Sequence, residues 1–274
     1  MLVSGAGGFV GSRIMQQLAD RFELMAFPRG MLTEANEEAV YAFVESSAPD
    51  VIIHSAAISD TKDCEDHSEA SHRANVELSV WMARCAKRAH AKLLCFSSDQ
   101  VYTGMDGDGP FTEEALVHPA NVYGRHKLEA ERRVLDILPQ SVMLRATWMY
   151  DFPGYGLPIH GNLLMNLLKA SMRRERLCFS ANEYRGITYV RQVIEMLIPV
   201  MALDGGVYNY GSENRLSMFN TAQGFADTLG IDVDIEKANW RRSLAINCGK
   251  LQRAGIYIDD TQEGLKRCLQ DYRL

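Results

Sequence analysis

The sequence predicts an α/β fold built on a doubly wound parallel sheet, with a smaller C-terminal domain. Three observations carry that expectation. Short, near-continuous apolar runs recur through the first half of the chain, amphipathic stretches separate them, and a glycine-rich turn stands at the first strand-to-helix junction. Apolar runs without alternation belong to strands buried on both faces, as in parallel sheets covered by helices. Right-handed crossovers then wind the sheet in both directions.

In chain order, strands are expected at residues 1–4, 23–27, 51–54, 92–97 and 141–146. Helical patterns separate them at 11–20, 34–46, 68–89 and 121–138. After Ala146 the rhythm changes. Residues 151–158, rich in Pro and Gly, read as a loop. Helices are expected at 161–174 and 188–203, a strand at 206–210, and helices at 217–229 and 261–272. The predicted division puts 1–146 with 186–205 in a nucleotide-binding domain and 147–185 with 206–274 in a substrate-binding region, with the cleft between them.

Composition narrows the function classes. A chain of 274 residues with 47% hydrophobic and 23% charged residues is an ordinary globular enzyme in balance. A formal net charge of −6 without a basic stripe argues against nucleic-acid partners. The one basic cluster, Met172-Arg173-Arg174-Glu175-Arg176, reads as a solvated helix end. Apolar runs such as 51–53 and 196–201 are too short to span a bilayer. A glycine loop beginning at Gly5 leaves no room for a leader, so a cytoplasmic protein without membrane partners is expected. Six cysteines without a CxxC pair read as reduced thiols, and no metal site is expected.

The glycine loop is Ser4-Gly5-Ala6-Gly7-Gly8-Phe9-Val10-Gly11. Gly5 suits a tight turn, Gly8 lets backbone approach a pyrophosphate, and Gly11 lets the helix pack close to the sheet. The first helical turn, with Phe9 and Val10, then offers free N–H groups and a positive dipole end to phosphates. The second strand ends on Ala26-Phe27-Pro28-Arg29 without the carboxylate that a dedicated NAD site places there. Arg29, helped by Arg13, suits a 2′-phosphate instead. The expected cofactor is NADP(H), preferred over NAD(H).

Asn121-Val122-Tyr123-Gly124-Arg125-His126-Lys127 opens a helix and contains YxxxK. At i,i+4 the two side chains share one face. A lysine ammonium beside a phenol favours phenolate, which makes Tyr123 a general acid for a carbonyl under hydride attack. Ser97 and Ser98 stand where the fourth strand leaves the sheet, at the edge where such folds bind ligands. Ser98 suits a hydrogen bond to the substrate carbonyl. Asn75 lies within a helix, where an amide calls for a tertiary partner. His54, on a buried strand, reads as a satisfied core histidine, and His126 projects from a different helix face than Lys127.

These residues, with His54-Ser55-Ala56-Ala57, resemble the extended short-chain dehydrogenase/reductases. Within that group, Phe96-Ser97-Ser98-Asp99-Gln100-Val101-Tyr102, the segment from Asn121 to Glu131, and Leu144-Arg145-Ala146-Thr147-Trp148-Met149-Tyr150 resemble the dTDP-4-dehydrorhamnose reductase (RmlD-like) branch. The resemblance implies a Rossmann fold and an NAD(P)H-dependent reductase of a keto group on a nucleotide-linked sugar. It implies Ser98, Tyr123 and Lys127 as catalytic residues, with Lys127 also holding the nicotinamide ribose. Asn75 would support the active-site backbone, and Ala56, Ala57 and Ser97 would line the cofactor. Ser59, Asp99, Gln100 and Trp148 would border the sugar. Apart from the resemblance, residues 182–185 and Arg242 are candidates for contacting substrate or its phosphates. The chain departs from the branch at Ile58 and Gln100, where tyrosines are expected, and keeps only a loose form of a later element at 240–247. A 4,6-dehydratase would need a glutamate base where Gln100 stands, and a neutral amide cannot take that proton. A nucleotide-sugar 4-epimerase and a non-catalytic, cofactor-binding regulatory subunit stay open, as does a homodimer.

Overall fold

The computed structural model describes residues 1–33 and 36–273. Strands β1 (Leu2–Ser4), β2 (Met25–Ala26), β3 (Val51–His54), β4 (Lys92–Ser98) and β5 (Val142–Ala146) fill the first half. The second half adds β6 (Trp148–Tyr150), β7 (Leu177–Arg185), β8 (Ile187–Tyr189), β9 (Gly206–Tyr210) and β10 (Ile235–Leu244). Six strands form one sheet in the order β2-β1-β3-β4-β5-β9, and every neighbouring pair is parallel. The chain runs from β1 out to β2 and then back across to β3 on the other side. The strand order therefore reverses between β1 and β3, and the crevice outside their carboxyl ends is the ligand position of open α/β sheets.

The helices before Ala146 are α1 (Phe9–Gln17), α2 (Arg29–Thr33), α3 (Glu37–Ser47), α4 (Thr61–Asp66), α5 (Ser68–His72), α6 (Leu78–Ala89) and α7 (Val122–Ile137). Those after it are α8 (Leu163–Arg173), α9 (Val190–Glu195), α10 (Leu197–Val200), α11 (Met218–Leu229), α12 (Gly249–Arg253) and α13 (Thr261–Tyr272). Successive strand side chains point to opposite faces, and two cores result. Val3, Ile53, Leu94, Phe96 and Leu144 pack with α1, α9 and α10 through Ile14, Val193 and Leu197. Leu2, Ile52, Leu93, Cys95 and Met143 pack with α3 and α6 through Val40, Val44 and Met82. A separate core around Tyr150, Leu167, Phe225 and Leu265 joins β6, α8, α11 and α13.

Several expectations change. The strand at 206–210, expected in the substrate-binding region, hydrogen-bonds along β5 from Val142↔Gly206 to Ala146↔Tyr210 and forms the edge of the six-stranded sheet. The helix expected at 188–203 starts late, because Thr188 belongs to β8 and pairs with Met149 of β6. It also breaks at Met196. The ribbon of β7 with β10 was not expected. The helical stretch 68–89 is one run interrupted by a π-helical turn at Arg73–Glu77. The first two residues of the helix expected at 34–46 lie outside the described residues. Among the described residues, no helix is long and apolar enough to cross a membrane.

Candidate active site

The crevice between β1 and β3 is shaped by missing side chains. Gly5 turns with φ +73°, and a Cβ there would lie 2.7 Å from the Ala56 nitrogen. A Cβ on Gly11 would lie 2.1 Å from the Gly5 oxygen, so α1 approaches the loop this closely only with glycine. Gly8 is the N-cap of α1 and no side chain caps that end. By contrast, α3, α7, α8, α11 and α13 are capped by Asn36, Asn121, Asn162, Ser217 and Asp260. The first-turn N–H groups of α1 are thus available to an anion. This cradle fits a dinucleotide pyrophosphate. Ala57 and Ser59 are exposed on the rim after β3, and Arg29 is exposed at the start of α2, beyond the carboxyl end of β2.

Ser98, Tyr123 and Lys127 come together at the carboxyl end of β4, all three buried. Asn121 caps α7 by accepting from the Gly124 N–H at 2.7 Å, and Glu65 accepts from the Val122 N–H at 2.7 Å. The helix start therefore sits tightly over the turn that follows Ser98. One turn along, Lys127 Nζ lies 5.8 Å from the Tyr123 ring centroid and donates to the Phe96 carbonyl at 2.8 Å. Burial pushes the Lys127 ammonium down to about 8. Burial also pushes the Tyr123 phenol above its ordinary range, opposed by the Ser98 hydroxyl and reinforced by the Asp99 carboxylate.

Asn75 sits on the π-helical turn, a device that recurs at functional positions. Its Oδ1 accepts from the Ile58 N–H at 3.0 Å, and its Nδ2 donates to the Ile58 carbonyl at 2.9 Å. Both backbone groups of the β3–α4 loop are thereby held by one amide. Nδ2 also donates to Ser71 Oγ at 3.1 Å, and Ser71 hydrogen-bonds His126 Nδ1 on α7 at 3.0 Å. His54 hydrogen-bonds Ser4 at 2.6 Å and Ser79 at 3.0 Å, and burial pushes its pKa down to about 3.

Other expected site residues are engaged within the fold to different degrees. Arg13 is fully buried and holds Asp151 through Nε at 2.6 Å, so it does not meet a phosphate. Ser97 donates its hydroxyl to Glu131 at 2.5 Å, within a buried network with Arg145, and is turned away from the crevice. Phe9 is buried and offers only its backbone. Asp99 is turned inward onto Arg185, and Gln100 Oε1 accepts from Asn121 Nδ2 at 2.9 Å, so both side chains brace the site's frame. Trp148 is partly exposed beneath the Arg185 guanidinium. Arg242 is half-exposed and paired with Glu183. Gly124 was not anticipated, although a glycine in the first turn of a helix was a readable signal.

A family model, the RmlD substrate binding domain, matches residues 1–273 of the chain. The chain belongs to this family. The dTDP-4-dehydrorhamnose reductase of Aggregatibacter actinomycetemcomitans is 29% identical over 231 residues, covering 81% of this chain and 76% of that protein. The β subunit of Xenopus laevis methionine adenosyltransferase 2 is 25% identical over 280 residues, covering 93% of this chain and 82% of that one. The crystal structure of Bacillus anthracis dTDP-4-dehydrorhamnose reductase in complex with NADP superposes with a TM-score of 0.87 at 21% identity, covering 98% and 97% of the two chains. That structure shares the fold of this chain.

Proposed function

We propose that this protein is an NAD(P)H-dependent reductase of a keto group on a nucleotide-linked sugar, with NADP(H) preferred. One observation carries the reading. Tyr123 and Lys127 lie on one helix face beside Ser98, at the carboxyl edge of a sheet whose switch point ends in an uncapped, glycine-lined helix.

A bound nicotinamide cofactor supplies hydride. The protein's part is to hold and deliver a proton. Tyr123, whose phenol burial keeps protonated, donates it to the developing alkoxide. Ser98, whose hydroxyl donates to Asp99 Oδ1 at 3.3 Å, would turn that one proton to the same oxygen and fix its position. Lys127 uses one N–H on Phe96 and has two left for the ribose and for the field at Tyr123. Gly5, Gly8 and Gly11 with the N–H groups of Phe9 and Val10 hold the pyrophosphate, Arg29 reads the 2′-phosphate, and Ala56 and Ala57 line the floor. Asn75 fixes the backbone at Ile58, while Ser59, Trp148 and Arg242 border the sugar.

The similarity to a protein that is the β subunit of methionine adenosyltransferase 2 favours a second reading, that this chain serves as a non-catalytic subunit of another enzyme. One experiment separates the two. The protein is titrated calorimetrically with NADPH and NADH, and cofactor absorbance is then followed with a panel of 4-keto nucleotide sugars. Binding with oxidation supports the reductase, binding without oxidation of any member favours the non-catalytic subunit, and no binding sinks the reductase.

A further inference from the structure

Asp99 follows Ser98 directly and is 1% exposed. Its Oδ1 accepts from the Ser98 hydroxyl at 3.3 Å, and its Oδ2 accepts from Arg185 Nη2 at 2.8 Å. Arg185 ends β7, is 9% exposed, and lies 5.2 Å over the Trp148 ring. A buried carboxylate next to a proton donor is costly unless it is paired. The pairing also matters for the chemistry, because an unpaired negative charge beside a phenol disfavours phenolate and weakens the phenol as an acid.

We infer that Arg185 is a positioning residue for proton transfer, which it serves by pairing with the Asp99 carboxylate beside Ser98 and Tyr123 and so offsetting part of its charge. This rests on the reductase reading above. The other groups around the pair leave that task to Arg185. Lys127, on the helix of Tyr123, spends one N–H on Phe96. Glu131, which faces Lys127, is held by Arg145. Cys64 from α4 and Cys95 from β4 are thiols that burial pushes up, and His54 from β3 is pushed down, so all three are uncharged. Arg242 from β10 reaches Asp99 only through space, because Glu183 holds it. Burial drives the Asp99 carboxyl up, and Arg185 is the leading group that holds it down.

The sign of the effect follows. Without Arg185, Asp99 ionises only as pH rises, and once ionised it makes Tyr123 a weaker acid. Turnover of Arg185→Met should therefore fall further behind wild type with rising pH, by up to about tenfold for each unit the phenol is weakened. Arg185→Lys keeps the charge and should retain the wild-type profile. Asp99→Asn added to Arg185→Met removes the charge that needed pairing and should restore turnover and flatten the profile.

The experiment measures kcat against pH for the wild type and these three variants, with NADPH and a reducible 4-keto nucleotide sugar. In parallel, carbon-13 NMR of labelled aspartates follows Asp99, assigned with Asp99→Asn. The inference expects an upward shift of the Asp99 titration in Arg185→Met and little shift in Arg185→Lys. An unshifted Asp99 titration in Arg185→Met overturns it. A loss in Arg185→Met that Asp99→Asn does not rescue also overturns it, since Arg185 then acts on substrate directly. A wild type that reduces no keto sugar counts against the reductase reading alone, and the Asp99 titration still decides whether Arg185 keeps that carboxylate charged.

Discussion

Gly124 packs its bare Cα against the carbonyl oxygen of Gln100, so closely that a Cβ would lie 2.4 Å from that oxygen. This contact seats the start of α7, and Tyr123 with it, against the turn that follows Ser98. Gly124→Ala should force the two apart. Overpacking of this kind costs about 1–3 kcal/mol, so a modest fall in Tm is expected. The loss in kcat should be larger than the stability loss alone explains. An alanine variant with wild-type kcat would show that this approach does not position the phenol.

Tyr123→Phe removes only the proton donor. Turnover should fall by about 10²–10⁴-fold, the usual contribution of a positioned general acid. Calorimetric affinity for NADPH should hardly change, since the cradle at Gly5, Gly8 and Gly11 is untouched.

Two arginines, one exposed and one buried, should behave in opposite ways. Arg29→Ala should weaken NADPH binding far more than NADH binding, with no effect on Tm, because Arg29 is exposed. Arg13→Ala should leave the ratio of the two affinities alone and lower stability instead. It strands a fully buried Asp151 carboxylate, a loss worth about 3–5 kcal/mol. Equal losses of both cofactors in Arg29→Ala would remove it from the 2′-phosphate.

His54 makes stability depend on pH. Its folded pKa, about 3, lies below the ordinary 6.5 because burial excludes the charged ring. The unfolded chain therefore binds the proton more readily. The contribution is fully present above pH 6.5 and is lost as pH falls from there towards 3, at about 1.4 kcal/mol per unit. Denaturant unfolding across that window should show the slope, and His54→Asn should reduce it. An identical slope in the variant would place the effect on other groups.

The sheet and its covering helices were legible because β1, β3, β4 and β5 are buried on both faces and read as unbroken apolar runs. The ribbon of β7 and β10 was not. It buries one side only, and residues such as Glu183 and Arg242 pair across it, so its strands look like polar loop. Three-residue β8 carries too little pattern to separate it from the helix that follows. Within the site, the spacing of Tyr123 and Lys127 and the position of Ser98 at a strand end were enough to bring the three together. Arg13 and Ser97 misled because their partners, Asp151 and Glu131, stand 138 and 34 residues away, and no local pattern reports them.

The amide of Asn75 grips the Ile58 peptide by its N–H and its C=O, as a neighbouring strand would. The grip falls on main chain alone and is indifferent to the side chains the loop carries. Ala57 and Ser59, both exposed, can therefore be exchanged while the path of the loop stays fixed, whereas Ile58 packs against Cys64, Val122 and Tyr123. The rim of the cleft is in this sense an interchangeable part on a rigid mount, and a library randomised at Ala57 and Ser59 should alter which ligands are accepted while leaving folding largely intact.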